Sequence, residues 1–330
     1  MIRPFDLRHI WLVRDLQRVT TALDLRAALV EAQSPLRSAL RDYFPTRVAR
    51  TYTYVLQAPG NGRELRGFVQ ARARPAEAAW TITFIAPKLD GPEEFATIWY
   101  RMLLHTCIAA GEKQVQRLFA CAPEEQLAEE VLRQAGFAVY ARQRLFVREP
   151  SIPITKRLSD GARAFRPEDS LSVTRFLQRL TPRVIQQTAE LKGPIEASGH
   201  DATTTATSQA FVWRDQVGDL SGYLWLDIGP RGIWIRIIAD PNYRQQIPEM
   251  LEHALALASG HTPRPAYCAV RDYESGMQYP LEQNGFALLD THRLWVKHTT
   301  VQVKAWRPRL AQALENRAGV APTVSRSDRT

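Results

Sequence analysis

Apolar and polar residues follow two periods along this chain, and together they predict strands and helices in a definite order. Alternation over five to eight residues predicts strands, and apolar residues three and four apart predict helices. Gly111 and Gly136 end two of the helices, and Ser34-Pro35 begins another. The first half of the chain predicts strand, helix, helix, three strands, helix, strand, helix and strand, at residues 2–5, 8–30, 34–41, 51–57, 65–72, 80–86, 93–110, 116–120, 123–134 and 137–148.

The second half repeats this order, with matching landmarks. We match Gly67-Phe68 with Gly222-Tyr223, Trp80 with Trp234, Pro87 with Pro241, Cys121-Ala122 with Cys268-Ala269, Gly136-Phe137 with Gly285-Phe286, and residues 144–147 with 293–296. A period of about 150 residues is too long for a solenoid repeat, so each copy should be a domain with its own core. The predicted boundaries are 1–149 for the first copy, 150–156 for a linker, 157–303 for the second copy and 304–330 for a basic, flexible tail.

Composition and charge narrow the class of protein. The 330 residues are 45% hydrophobic and 23% charged, which is ordinary for a soluble globular protein. Charges interrupt the apolar N-terminal stretch and no apolar run is long enough to span a membrane, so we expect a cytoplasmic location. The formal charge of +9 comes mostly from scattered arginines without a recognition motif, which argues against nucleic acid and would suit an anionic ligand.

The cysteines give little sign of chemistry. Cys107, Cys121 and Cys268 have no metal-ligand spacing, so we predict neither disulfides nor a metal site. Cys121 and Cys268 are taken as equivalent positions of the two copies, each buried in a strand as a small apolar side chain.

Two motifs carry a family resemblance. One is a strand followed by Pro241-x-Tyr243-Arg244 and a helix; the other is the strand-helix-Gly-Phe ending of each copy. With the element order, they resemble the GCN5-related N-acetyltransferase (GNAT) fold, occurring twice over nearly all of residues 1–300. The resemblance implies an α/β fold with a mixed sheet, in two tandem acyl-CoA N-acyltransferase-like domains. It also implies acetyl-CoA or another acyl-CoA as co-substrate, lying between two parting parallel strands with its diphosphate at the next helix start. A helix start offers unpaired N–H groups to such an anion.

The resemblance assigns the cofactor site to the second copy. The expected cofactor-binding residues are Ile238, Ala239, Tyr243, Arg244, Gln245, Gln246, Ile247, Pro248 and Glu249. Ile247 and Glu249 stand where the family has glycines that let the backbone approach the phosphates. In the first copy the corresponding run, residues 90–95, has no arginine and several acids, which predicts that this copy does not bind CoA.

The catalytic residues are less apparent. Many family members place a tyrosine four residues before the Gly-Phe glycine, where it protonates the leaving thiolate, but Leu132 and Leu281 occupy those positions. Tyr279 lies two residues before Leu281 and is the candidate for this general acid in the second copy. Asp227, a conceivable base, reads equally as a surface residue at the end of its strand. The histidines His105, His253 and His292 have no nucleophile at a recognisable spacing.

Two hypotheses therefore stand side by side. In the first, the protein is an acyltransferase that passes an acetyl or acyl group from CoA, held by the second copy, to an amine. That amine is a small molecule or a protein N-terminus or lysine, and the polar segment 192–209 is a possible lid over it. In the second, the protein is a non-catalytic tandem GNAT-fold module that binds a ligand or partner, a hypothesis favoured by the missing glycines and tyrosines. The oligomeric state stays open in both.

Overall fold

A computed structural model describes residues 1–43, 51–59, 64–74, 78–152, 158–188, 206–274 and 276–299. The tail at 304–330, most of the possible lid and part of the linker lie outside these ranges. Its strands are β1 Ile2–Pro4, β2 Thr21–Ala22, β3 Thr51–Pro59, β4 Glu64–Arg74, β5 Ala79–Ala86, β6 Arg117–Pro123, β7 Ala138–Arg148, β8 Arg163–Ala164, β9 Thr207–Arg214, β10 Leu220–Ile228, β11 Ile233–Ala239, β12 Ala266–Arg271 and β13 Ala287–His298. Its helices are α1 Ile10–Leu16, α2 Leu25–Val30, α3 Pro35–Tyr43, α4 Glu94–Glu112, α5 Gln126–Gln134, α6 Ser170–Leu180, α7 Arg183–Thr188, α8 Ile247–Ala258 and α9 Gln278–Gln283.

All of these strands belong to one mixed sheet, which confirms the predicted α/β class. Its order is β1-β3-β4-β5-β6-β13-β7-β12-β11-β10-β9-β8, with β2 added beside β5. The last strand of each copy lies in the other copy's part of the sheet, because β7 pairs with β12 and β13 pairs with β6. The two exchanged strands also pair with each other at the centre. The tandem copies therefore share one continuous sheet.

Each copy contains one short parallel pair of strands. In the first copy, β5 and β6 pair only from Ala79–Arg117 to Thr81–Phe119. In the second copy, β11 and β12 pair only from Ile233–Ala266 to Ile235–Cys268. Beyond those pairs, each strand continues without its parallel partner. Two gaps open in the sheet as a result, and we name them the first and second groove.

The main cores lie on the face of the sheet that carries α4, α5, α8 and α9. One cluster packs under α4 and α5 around Trp99, and another packs under α8 and α9 around Met250. On the opposite face, α2 of the first copy crosses to the second, where Val30 packs against Trp234. Likewise, Ile185 of α7 packs against Ala141 of the exchanged strand β7. Each copy thus buries part of the other.

Two of the residue pairings predicted between the copies, Trp80 with Trp234 and Cys121 with Cys268, were wrong by a small shift in register. Trp80 lies under α4, whereas Trp234 alternates with Ile233 and Ile235 and so faces away from α8. The shift arises at Thr83, an extra residue in β5, since Ala71 pairs with Ile82 and Gln70 with Phe84. Strand β11 has no such bulge in its pairing with β10. One inserted residue sends every earlier side chain to the other face, so the tryptophans share equivalent strands without being equivalent residues.

The cysteine pairing was wrong for a related reason. Cys268 faces the core under α8, but Cys121 alternates with Ala120 and Ala122 of the first core and therefore faces the opposite side. Cys268 is buried and Cys121 is partly buried among apolar groups, and burial raises the pKa values of both thiols well above the usual range. The expected role of each cysteine as a small packing residue agrees with this environment.

Candidate functional site

The first groove is filled by the chain's own strand β2. The Leu23 N–H donates to the Thr83 carbonyl of β5 at 2.8 Å, and the Cys121 N–H of β6 donates to the Leu23 carbonyl at 2.8 Å. Thr21 also pairs with Ile85 in the β2–β5 ladder. Residues 21–23 therefore bridge the two parting strands and use the backbone groups that a ligand would otherwise meet there.

The second groove has an unpaired strand edge. Ile233 donates its N–H to Pro265 on the β12 side at 2.9 Å, whereas Asp240 donates to Ser221 on the β10 side at 2.9 Å. Because backbone groups alternate along a strand, the N–H and C=O groups of Ile237 and Ala239 point to the β12 side, where the ladder has already ended. Within the described ranges no backbone partner reaches them. Ala239 is only partly buried, so the mouth of this groove is accessible.

A buried ion pair closes the narrow end of the second groove. Arg236 follows the last paired residue of β11, and its Nη1 donates to the Ala269 carbonyl of β12 at 2.7 Å. The same guanidinium forms a two-point ion pair with Glu274, whose Oε2 also accepts the Arg271 N–H at 2.9 Å. Both side chains are largely buried. The guanidinium thus joins the two parting strands where they begin to separate.

The helix start beside the groove already holds a carboxylate. Asp240 accepts the Asn242 N–H on its Oδ1 at 2.9 Å, and its carbonyl accepts the Tyr243 N–H at 2.8 Å. Arg179 pairs with the other carboxylate oxygen at 2.7 Å. The residues between β11 and α8 wind into a 3-10 turn, and Pro248 at the start of α8 has no N–H to offer. Few donors are left there for a diphosphate.

The predicted cofactor residues divide between the groove and other contacts. Ile238, Ala239 and Arg244 lie at its mouth, where the Arg244 side chain crosses to the loop after β12 and lies against Gly276. Gly276 has a φ of 90°, and a Cβ there would come within 3.0 Å of the Arg244 Cδ, so this contact requires glycine. Gln245 and Pro248 are exposed beside this turn.

The other predicted cofactor residues make contacts elsewhere. The Tyr243 hydroxyl donates to Asp215 at 3.1 Å, and this hydrogen bond raises the pKa of the phenol. Gln246 accepts from the Ser221 hydroxyl at 2.9 Å. Ile247 is buried in the core, and the Glu249 carboxylate accepts from the Ser159 hydroxyl, on the segment that follows the linker.

Tyr279 is exposed to solvent, whereas the leucines at the family's acid position are buried. Tyr279 lies on α9 and is 70% exposed. Leu132 and Leu281 are both 0% exposed and belong to the two main cores. In both copies, the leucine at the family's acid position therefore packs in the core.

Asp227 is not a surface residue, so that one of the two alternatives from the sequence is wrong. It is 0% exposed, and its carboxylate accepts from Arg26 of the first copy at 2.9 Å and from the Ser208 hydroxyl. A buried carboxylate needs a cationic partner, and the packing of α2 onto the second copy supplies Arg26. The sequence analysis missed this pair and the Arg236–Glu274 pair. An arginine within the apolar run Ile233–Ala239 was the available signal for the latter, since a charged residue in a buried strand requires a partner.

The three histidines considered in the sequence all lie in partly or fully buried positions. Burial lowers the pKa values of His105, His253 and His292. In the part of the chain that the structure describes, no group of three or more His, Cys, Asp or Glu side chains could hold a metal ion. None of the described helices has the length and apolar character needed to cross a membrane.

Solved structures with a similar fold include a tandem GNAT protein. A tandem GNAT protein from the clavulanic acid biosynthesis pathway aligns with a TM-score of 0.56 at 13% identity, covering 92% of this chain and 99% of that one. A GCN5-related N-acetyltransferase from Sphaerobacter thermophilus aligns with a TM-score of 0.52 at 12% identity, covering 92% and 96%. No protein-family model and no curated protein sequence matches this chain.

These likenesses define the class of fold. The chain has a tandem GNAT fold, with two parting pairs of parallel strands in a shared sheet. At 12–13% identity the likeness shows the fold alone, and the function has to be argued from the grooves.

Proposed function

We propose that the second copy binds an acyl-CoA along the unpaired edge of β11 and transfers the acyl group to an amine. The difference between the two grooves carries this proposal. Strand β2 uses the edge of β5, whereas Ile237 and Ala239 present unpaired amide groups beside an accessible gap. The pantetheine arm of CoA is an extended chain with amide groups, so it can pair with such an edge as an added strand does.

This chain fits the pantetheine arm of CoA better than it fits the diphosphate. The arm fits the edge at Ile237 and Ala239. The diphosphate fits less well, because the Asp240 carboxylate already occupies the helix start and Pro248 removes a donor. Arg244 at the mouth is the cation that we assign to a phosphate. We therefore expect weak binding that depends mainly on the arm.

The bound cofactor would supply an activated thioester, and the protein's contribution would be to hold an amine beside it. Positioning alone can provide much of the rate of such a reaction. The acceptor is a small-molecule amine or a protein N-terminus or lysine. We also propose that the two copies divide at residues 150–156 and that the protein acts in the cytoplasm.

Substitution of Ala239 tests the proposed edge. Ala239→Pro removes the N–H that points into the groove and breaks no ladder bond, so the fold should survive. Loss of that hydrogen bond and the added ring should weaken acetyl-CoA binding about tenfold, measured by titration calorimetry. Ala239→Ser keeps the N–H and is the matched control, and Arg244→Ala tests the phosphate contact. Equal binding by Ala239→Pro and wild type would place the cofactor elsewhere.

A non-catalytic binding module is the second candidate, and a specific observation favours it. The Arg236–Glu274 pair fills the narrow end of the second groove, and buried Leu281 replaces the usual acid. A thiol-release assay over a panel of amines separates the two candidates. Protein that binds acetyl-CoA but releases no thiol with any of them is a binding module.

A further inference from the structure

Arg271 places a guanidinium at the end of β12. It is the last residue of β12 and lies beyond the final β11–β12 pair at Cys268. Its Nη1 donates to the Tyr273 hydroxyl at 2.7 Å. Its Nε is buried and has no hydrogen-bond partner. Among the residues that the structure describes, it forms no ion pair within 4.0 Å.

Glu274, the carboxylate that acts electrostatically on Arg271, already pairs with another cation. Both oxygens of Glu274 accept from Arg236, and one also accepts the backbone N–H of Arg271. The neighbouring phenol of Tyr140 stays neutral, because burial raises its pKa. Among the described residues, Arg236, Arg271 and Glu274 form a cluster of two guanidiniums and one carboxylate, so Glu274 alone does not balance both positive charges. A partly buried charge of this kind requires a counter-charge from outside the cluster.

Arg271 also lies on the face of the sheet that an acceptor would use. Cys268 and Val270 point into the core under α8, so Ala269 and Arg271 point to the opposite face. In the proposed function the cofactor reaches the groove from the start of α8. The opposite face is then the side from which an amine can approach the thioester.

We propose that Arg271 binds an anionic group, a carboxylate or phosphate, on the amine that accepts the acyl chain. The Arg271 Nε is buried and has no partner among the described residues, so an anion that enters beside β12 would make a two-point contact with this Nε and a terminal nitrogen. The acceptor class is therefore an amine that also carries a negative charge. Its role as acceptor rests on the proposed function, whereas anion binding at Arg271 does not.

The first test measures anion binding without CoA. Succinate and inorganic phosphate are titrated into the full chain at constant ionic strength set with sodium chloride, and the two arms separate a carboxylate from a phosphate preference. We expect one of them to bind at millimolar concentration and Arg271→Gln to weaken that binding at least tenfold. Arg175→Gln, an exposed arginine on α6, is the control and should bind as wild type does. Absence of binding, or equal binding by Arg271→Gln, overturns the proposal.

Two further measurements keep folding and function apart. The urea midpoint of Arg271→Gln in chloride alone should equal or exceed that of wild type, because the variant removes an uncompensated charge; a lower midpoint contradicts this. In the thiol-release assay, Arg271→Gln should raise KM for carboxylate-bearing amines at least tenfold, leave kcat unchanged and leave KM for neutral amines unchanged. If acetyl-CoA does not bind, the proposed function is wrong. The succinate and phosphate titrations test the anion site independently of that result.

Discussion

At the scale of single residues, the two copies are joined by a buried ion pair. Arg26 on α2 donates to Asp227 on β10 at 2.9 Å, and it also approaches Glu31 at 3.4 Å. Asp227 has no exposed surface, so its charge depends on this partner and on Ser208. The pair contributes mainly by avoiding the cost of a lone buried charge, because desolvation offsets much of the attraction.

Removal of one partner should therefore be costly. We expect Arg26→Met to lower the free energy of unfolding by about 3–5 kcal/mol in urea denaturation, since it leaves Asp227 buried and unpaired. The double variant Arg26→Met/Asp227→Leu should recover most of that loss, because no unpaired charge then remains. A single variant within about 0.5 kcal/mol of wild type would show that water reaches Asp227.

At the scale of elements, the grooves differ in what occupies the strand edge. Strand β2 has only two residues, yet with Leu23 it supplies partners to both β5 and β6. In the second copy, the pairing of β11 with β12 ends at Ile235. The fold thus uses one groove for its own stability and leaves the edge of the other unpaired among the described residues.

Amide hydrogen exchange should reveal this difference. Unpaired amides that water can reach exchange far faster than amides in a closed ladder. We expect the amides of Leu23 and Cys121 to be strongly protected and that of Ala239, which is only partly buried, to exchange quickly. Addition of acetyl-CoA should slow exchange over residues 237–239 and leave residues 21–23 unchanged. Similar protection at both edges without ligand would rule out an unpaired second edge.

At the scale of the whole molecule, the exchanged strands make the copies interdependent. Strand β13 completes the first copy beside β6, and β7 completes the second beside β12. An isolated copy would lose its partner's strand and expose a long sheet edge, which favours aggregation.

Cleavage of the linker tests this interdependence. A protease site placed at residues 153–157 should yield two fragments that co-elute in gel filtration and unfold in one transition, because the exchanged ladders hold them together. The first fragment expressed alone, residues 1–152, should be insoluble or unfolded. The intact protein carrying the same inserted site is the control. Fragments that separate as stable monomers would contradict the exchange.

The sequence by itself determined the fold class and the tandem arrangement. Helical and strand periods, capping glycines and the Gly-Phe endings are local signals, because each segment's own burial and backbone preference set them. The same signals drew attention to the turn after β11, which lies beside the second groove. The assignment of Ile238, Ala239 and Arg244 to cofactor binding stays a prediction.

Only the tertiary structure decided which strands pair and what fills each groove. An exit strand has the same apolar pattern whether it joins its own copy or the other, so the pattern cannot reveal the exchange of β7 and β13. The bulge at Thr83 leaves the strand pattern recognisable while shifting every equivalence before it. The pairs Arg236–Glu274 and Arg26–Asp227 join residues far apart in the chain. Their partners are set by register and packing, which no local pattern encodes.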